Sequence, residues 1–111
     1  MKSAWLLRDG EVLAAVEVTE SRQERMQGLL DREGIDGAIL LRPARSVHSV
    51  GMQFPLDVAV CDKDLVVLRT LSLRPGRLTR PSLRGSCIIE AEKGAFARWD
   101  LRPGDRLEIR E

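Results

Sequence analysis

The chain contains WLLRDGEVLAAVEV at residues 5–18, and this stretch predicts a β-hairpin that indicates a β-rich fold. Asp9-Gly10 separates two apolar runs, and both positions of a two-residue hairpin turn favour residues that accept a positive φ. The turn sets a register with these pairs: Arg8 with Glu11, Leu7 with Val12, and Trp5 with Ala14. In this register every second residue from Val12 to Val18 lines one face of the hairpin.

A short helix should follow the hairpin. Ser21 and Glu24 form a capping box, in which the serine accepts from N–H groups of the first turn and the glutamate reaches back. A short apolar stripe follows, made of Met26, Leu29 and Leu30. These signals predict a helix near residues 21–31, and Gly34 is placed to end the helix or the turn after it.

From Ala38 onward the sequence alternates between short apolar runs and turns that contain glycine or proline. The strand candidates are residues 38–41, 46–50, 56–61, 65–73, 86–91 and 106–110. A helical turn is expected near residues 93–99. With the hairpin, the pattern predicts about seven short strands in an α+β, mainly β domain that covers residues 1–111. Such a pattern is typical of a sandwich or a small barrel.

Composition and charge exclude several classes of protein. The chain is 43% hydrophobic and 32% charged, which is typical of a folded domain rather than a disordered segment. No apolar stretch approaches the ~20 residues that span a bilayer, and the N-terminal apolar run is too short for a signal peptide. We therefore expect a cytoplasmic protein with no membrane partner. The net charge of +1 gives no general attraction to nucleic acid, so we expect no nucleic-acid partner either.

The arginines are distributed unevenly along the chain. Residues 37–56 and 65–89 contain no acidic residue, whereas the first 36 residues hold many of the acids. The arginines of these two segments are Arg42, Arg45, Arg69, Arg74, Arg77, Arg80 and Arg84. Two interpretations stay open: a solvated arginine-rich loop, or a surface that binds a small anion or a protein partner. The second rests on the guanidinium group, which matches the geometry of carboxylate and phosphate.

Three blocks of sequence together resemble a known family. The first is RMQGLLDR at residues 25–32, similar to R-x-x-G-L-M-x-R. The second starts with SVHSVGMQFPLD at residues 46–57 and is similar to S-x-x-[TS]-x-x-M-x-x-P-L-D. The third runs from Ile89 to Asp105 and is similar to L-E-x-x-x-G followed by G-D. In this order the blocks resemble domain of unknown function 192, a family of small bacterial and archaeal proteins.

The resemblance implies a compact, β-rich α+β fold with a barrel-like sheet, and it implies no established activity. The chain is most similar to the branch of the family that lacks a secretion signal. It departs from the common form in one block, where many relatives have an aromatic pair and this chain has His48-Ser-Val. A pocket inferred from those relatives would therefore have a different shape here.

The second block supplies three candidates for a binding site. His48 is the only histidine, and it is either a general base or metal ligand, since histidine titrates near neutrality, or a hydrogen-bonded structural residue. Asp57 either accepts backbone N–H groups or pairs with an arginine such as Arg25 or Arg32. Met52 either lines a pocket or packs in the core. The full set of candidate ligand-binding residues is His48, Met52, Asp57, Arg25, Arg32, Arg74 and Arg77.

Other polar residues and motifs carry less information. Glu90 interrupts an apolar strand and needs a partner or solvent, so we expect it to be exposed at a sheet edge. Cys61 and Cys87 lie among aliphatic residues and are expected to be buried free thiols. The sequence has no zinc spacing, phosphate-binding loop, dinucleotide fingerprint or nucleophile elbow, so we expect no metal and no cofactor.

Three functions are consistent with these observations, in this order. The first is a binding or accessory module, with a small polar pocket near His48, Met52 and Asp57 and an arginine-rich surface. The second is a purely structural or interaction domain. The third is a hydrolase-like or metal-assisted enzyme that uses His48 and Asp57, with Glu90 as a further candidate. The enzyme requires these side chains to converge in one pocket.

Overall fold

The computed structural model describes residues 1–111 and contains one curled sheet with two short helices. The strands are β1 (Lys2–Arg8), β2 (Glu11–Val18), β3 (Ala38–Leu41), β4 (Leu56–Cys61), β5 (Val67–Leu73), β6 (Cys87–Glu92) and β7 (Leu107–Arg110), and the helices are α1 (Arg22–Gln27) and α2 (Ala95–Trp99). The strand order is β5-β4-β6-β3-β2-β1-β7, and only β2 and β3 pair in parallel. The predicted α+β, mainly β class and the seven strands are confirmed. Neither helix is long or apolar enough to cross a membrane.

The sheet curls until its two edge strands, β5 and β7, approach each other at one end. Val66 and Arg106 form an isolated antiparallel bridge there. Close to it, the Val67 N–H donates to the Asp105 carbonyl at 2.8 Å and the Leu107 N–H donates to the Leu65 carbonyl at 2.9 Å. The sheet is therefore a half-barrel that is closed by hydrogen bonds at one end only.

Two apolar clusters lie on opposite faces of this sheet. The larger one takes side chains from all seven strands and from α2, so we call its side the inner face. The smaller one covers β3, β4, β5 and β6 on the outer face, where Leu29, Met52 and Phe54 pack over the strands. Alternate residues of β6 face the two clusters, with Ile89 on the inner face and Ile88 on the outer face. The outer face of the central strands is thus covered by the turn that follows α1 and by the segment before β4.

The hairpin forms as predicted at its turn but not along its whole length. Asp9 and Gly10 both have positive φ, and Leu7 pairs with Val12. The predicted pairing of Trp5 with Ala14 is wrong, because a β-bulge lies between Leu6 and Leu7 and moves Trp5 opposite Ala15. The bulge adds one residue, Leu13, to β2. From Ala14 onward each residue of β2 therefore lies on the face opposite to the one that the turn register predicts. As a result Leu13 packs against the inner cluster, whereas Val12 is exposed.

Helix α1 is shorter than predicted. Its start is confirmed, since the Glu24 N–H donates to the Ser21 Oγ at 3.1 Å and the Glu24 carboxylate accepts from the Glu20 N–H at 2.7 Å. The predicted extent to about residue 31 is wrong, because Gly28 closes the helix with φ of 47°. A residue with a side chain is strained at that φ, so glycine permits the early end.

The strand predicted at residues 46–50 is also absent. Only His48 bridges to Leu78, as an isolated pair. The neighbouring Ser49 is buried and uses its hydroxyl to hold the backbone of Arg74 and Arg77. The segment is therefore an irregular layer on the sheet, fixed by side-chain bonds rather than by a strand ladder.

Candidate functional site

A cavity of about 330 Å³ lies on the outer face, between α1 and the segment that precedes β4. Its walls are largely apolar and include Met26, Leu29, Leu30, Leu41, Val47 and Met52. Its polar lining residues include Arg22, Arg25, Ser46, His48 and Glu90. The cavity is thus an apolar space with a few polar groups around it, which is the usual composition of a small-molecule site.

Glu90 supplies the buried polar group of this cavity. It lies in β6 between β3 and β4, where it pairs with Ile39 on one side and Val58 on the other. The expectation of an exposed residue at a sheet edge is wrong, since only 2% of Glu90 is exposed. Strand β6 is central, and α1 with its following turn covers the face on which Glu90 lies.

No group of the protein compensates the burial of Glu90. Burial raises the pKa of its carboxyl to about 7, and neither a hydrogen bond nor a neighbouring charge opposes this effect. Gly28 lies beside the carboxyl, since a Cβ added there would lie 3.6 Å from the Glu90 Oε1. The absence of a side chain at Gly28 therefore leaves space beside the carboxyl. Near neutral pH this group can either donate a proton or accept a hydrogen bond from a molecule in the cavity.

Three of the sequence-predicted residues meet at this cavity. Arg25, His48 and Met52 all line it. Arg25 is partly buried, and no carboxylate lies within 4 Å of its guanidinium group. His48 is exposed and its ring forms no hydrogen bond within the protein. Met52 takes both of the roles considered for it, because it packs in the outer cluster and also faces the cavity.

Asp57 lies on the other face of the sheet. Its Oδ2 accepts from the backbone N–H groups of Gly94 at 2.9 Å and Phe96 at 3.1 Å, and its Oδ1 accepts from the Ser72 Oγ at 3.0 Å. The interpretation that Asp57 accepts backbone N–H groups is confirmed. These bonds hold the start of α2 against β4. Asp57 and His48 therefore do not converge, and the geometry that a His48–Asp57 enzyme requires is absent.

The other three predicted arginines do not line the cavity. Arg32 forms a bidentate ion pair with Glu17, at 2.6 and 3.0 Å, and this bond lowers the pKa of Glu17. Arg74 and Arg77 extend from the loop that follows β5, and their side chains are exposed with no acidic partner. Their backbone carbonyls accept from the Ser49 Oγ, at 2.6 and 3.2 Å. This loop is a separate surface from the cavity.

The two cysteines are buried and free, as predicted. They are direct partners in the antiparallel ladder of β4 and β6. The adjacent Cys87 thiol and burial together raise the pKa of Cys61 above its ordinary range. No three side chains among His, Cys, Asp and Glu are placed to hold one metal ion.

The predicted set of ligand-binding residues omits Glu90, which was considered only as a further candidate for the enzyme, although a signal was present. A carboxylate between apolar neighbours in a strand conflicts with a covered face, and it belongs to the third block of the family resemblance. The structure brings the three blocks together here: Arg25, Gly28 and Leu29 come from the first, Ser46, His48 and Met52 from the second, and Glu90 from the third.

The fold and the cavity define a half-barrel domain with a lateral cavity that contains one buried carboxyl. The chain belongs to the family called DUF192, described as "Uncharacterized ACR", and the family model matches residues 5–109. No curated protein is similar enough to count as a match.

Two crystal structures have the same fold. One is a protein from Sinorhizobium meliloti 1021 described as a "putative transcription regulator", with a TM-score of 0.81 and 22% identity over 96% of this chain and 92% of that chain. The other is a protein of unknown function from Novosphingobium aromaticivorans DSM 12444, with a TM-score of 0.76 and 16% identity over 96% of this chain and 83% of that chain. At these sequence identities the similarity shows a shared fold and nothing about function.

Proposed function

We propose that the protein is a cytoplasmic binding or accessory module whose cavity holds a small molecule with an apolar body and a protonated amine. The amine would bind Glu90, and the body would contact the apolar walls. The single observation that supports this most is the Glu90 carboxyl, which is buried beside the cavity and has no partner in the protein. The two free cysteines support the cytoplasmic location, because disulfides are rare in reducing compartments.

The comparison of Glu90 with Asp57 explains why the first suggests a ligand and the second does not. Both carboxyls are buried. Asp57 receives three hydrogen bonds from the protein, so its burial is already compensated. Glu90 receives none from the protein, and its oxygens are not sealed off from the cavity, so a molecule in the cavity can reach them. A cationic ligand would offset the cost of burying the charged carboxylate, which would accept hydrogen bonds from the ammonium group in a space of low polarity.

The mouth of the cavity gives a second element of recognition. Arg22 and Arg25 are one helical turn apart on α1, and neither has an acidic partner. An anionic group at the other end of the ligand could bind these guanidinium groups. The complementary molecule is thus a small amphiphile with a cation inside and, where it is zwitterionic, an anion at the mouth.

The test compares three probes with the same six-carbon body: hexylamine, hexanol and hexanoate. Each is titrated into the protein, and the backbone amide signals of Gly28, Met52 and Glu90 are followed by NMR. We expect hexylamine to bind about tenfold more tightly than hexanol, because hydrogen bonds to charged groups contribute ~1.5–3 kcal/mol. In Glu90→Gln this preference should disappear.

Glu92→Gln is the matched control, because Glu92 is exposed and lies two residues away on the same strand. It should keep the preference for hexylamine. If none of the probes shifts the cavity signals, or if Glu90→Gln binds all three as the wild type does, the cavity is not the site. That result would favour the purely structural domain.

A further inference from the structure

The loop at residues 74–84 is fixed in place by buried polar groups. The Ser49 side chain donates to the Arg74 carbonyl at 2.6 Å, and the Ser49 N–H donates to the Arg77 carbonyl at 2.7 Å. Thr79, which is also buried, exchanges bonds of 2.9 Å with the backbone of Val47 in both directions. The backbone of the first half of the loop is therefore held by donors and acceptors from the segment before β4.

The second half of the loop is held by one arginine side chain. The Arg45 Nε donates to the Ser82 carbonyl at 3.0 Å, and its Nη2 donates to the Leu83 carbonyl at 3.1 Å. The Ser82 N–H returns a bond of 3.0 Å to the Arg45 carbonyl. Because the backbone is tied at both ends, the side chains of the loop project from an ordered base.

Four of these side chains are arginines without an acidic partner. The set is Arg74, Arg77, Arg80 and Arg84, all exposed. Only Arg8, Arg32, Arg102 and Arg110 form ion pairs with acids, so the loop arginines are among those that stay unpaired. No acidic residue occurs between positions 65 and 89, so the loop contains nothing that could neutralise its guanidinium groups.

Two leucines accompany the arginines on this loop. Leu78 is 73% exposed and Leu83 is 92% exposed. A single exposed leucine is ordinary, but two on an ordered loop add apolar surface beside four arginines, a residue type that is enriched at protein interfaces. The loop contains no aromatic residue on which a nucleic-acid base could stack.

We infer that the loop at residues 74–84 is a docking surface for an acidic segment of a partner protein that also carries apolar side chains. Its carboxylates bind the arginines, and its apolar groups cover Leu78 and Leu83. The charge of the loop selects an acidic partner, and its leucines select a protein rather than a nucleic acid. The inference extends the accessory role within the proposed function, but it uses no residue of the cavity.

The test measures binding by fluorescence anisotropy with three labelled probes. The first is a twelve-residue peptide in which glutamates alternate with leucines, the second has serines in place of the leucines, and the third is a twelve-nucleotide thymidine strand. We expect the glutamate–leucine peptide to bind most tightly. The double variant Arg77→Glu, Arg80→Glu should weaken its binding about tenfold or more, since each exposed pair turns from attraction to repulsion.

The matched control is Arg98→Glu, Arg106→Glu, which makes the same change of net charge with exposed arginines outside the loop. It should weaken binding less than about threefold, as expected for screened charges at a distance. A second variant, Leu78→Ser with Leu83→Ser, should weaken binding of the leucine peptide but leave the serine peptide unchanged.

Three outcomes would overturn the inference. They are tighter binding of the thymidine strand than of either peptide, equal effects of the loop and control variants, and no binding of the leucine peptide. Failure of the proposed cavity is distinguishable, because Glu90→Gln should leave peptide binding intact. Loop variants should likewise leave the hexylamine titration intact.

Discussion

Replacing Glu90 with glutamine should stabilise the protein, and the gain should grow as the pH rises. Burial raises the pKa of the Glu90 carboxyl from its ordinary value of 4.5 to about 7. A group with a higher pKa in the folded state binds more protons there, so the free energy of unfolding falls as the pH rises between the two values. Glutamine has a similar shape and does not titrate, so the variant avoids this loss.

The magnitude follows from the two pKa values. Each pH unit between them lowers the free energy of unfolding by about 1.4 kcal/mol, so full ionisation of Glu90 costs about 3 kcal/mol. The cost is absent below about pH 4.5 and complete above about pH 7. We therefore expect the two proteins to differ by less than about 1 kcal/mol at pH 4, and the Glu90→Gln protein to be about 3 kcal/mol more stable at pH 8.

The measurement is urea unfolding of both proteins at pH 4, 6 and 8, with Glu92→Gln as the exposed control. The difference between wild type and variant isolates Glu90 from the other titrating groups. Hexylamine at pH 8 should stabilise the wild type but not Glu90→Gln, since a ligand stabilises only the folded state that binds it. A difference between the two proteins that stays constant from pH 4 to pH 8 would refute the claim that Glu90 is buried without a partner.

Three further predictions concern the surroundings of the site. Gly28→Ala forces a side chain into a φ of 47°, so urea unfolding should show a loss of about 1 kcal/mol; a loss below a few tenths of that would contradict the strained backbone. Asp57→Ala removes the acceptor of three hydrogen bonds and should cost roughly 2–5 kcal/mol, while hexylamine still binds to the folded fraction. A loss of hexylamine binding without a loss of stability would show that Asp57 has a binding role instead. Cys61 and Cys87 should react with a disulfide reagent such as DTNB only after unfolding in urea, because both are buried and the pKa of Cys61 is raised. Rapid reaction of the folded protein would contradict their burial.

Local signals in the sequence predicted the elements whose cause is itself local. Asp9-Gly10 requires only its own two φ angles, and the capping box requires only Ser21 and Glu24, so both could be recognised without the rest of the chain. The limits of β3 and β4 follow from short apolar runs with clear ends. The bulge opposite Leu6 could not be predicted, because apolar residues occur on both faces of β2 and the pattern there fits either register.

The site was only partly predictable, because burial depends on distant parts of the chain. The alternation of side chains along a strand places Glu90 on the face opposite Ile89, as it is in the structure. It could not show that the turn after α1 covers that face or that β6 lies between two strands. Asp57 was grouped with His48 and Met52, although it lies on the other face of the sheet, for a related reason. The irregular segment before β4 interrupts the alternation, so the face of Asp57 cannot be deduced from that of His48 or Met52.

Glu90 and Gly28 are each unfavourable when considered alone. A carboxyl at position 90 breaks the apolar pattern of β6 on a covered face, and the glycine ends α1 after six residues at a φ that other residues avoid. Considered together they have one physical explanation. The glycine leaves open the space into which the carboxyl points, and a side chain there would lie within van der Waals contact of the Glu90 Oε1. A purely structural role would be served better by an apolar residue at position 90 and by a longer helix that fills the cavity. Since local rules are broken at two adjacent points without any compensating bond inside the protein, we propose that the compensation comes from a molecule that enters the cavity.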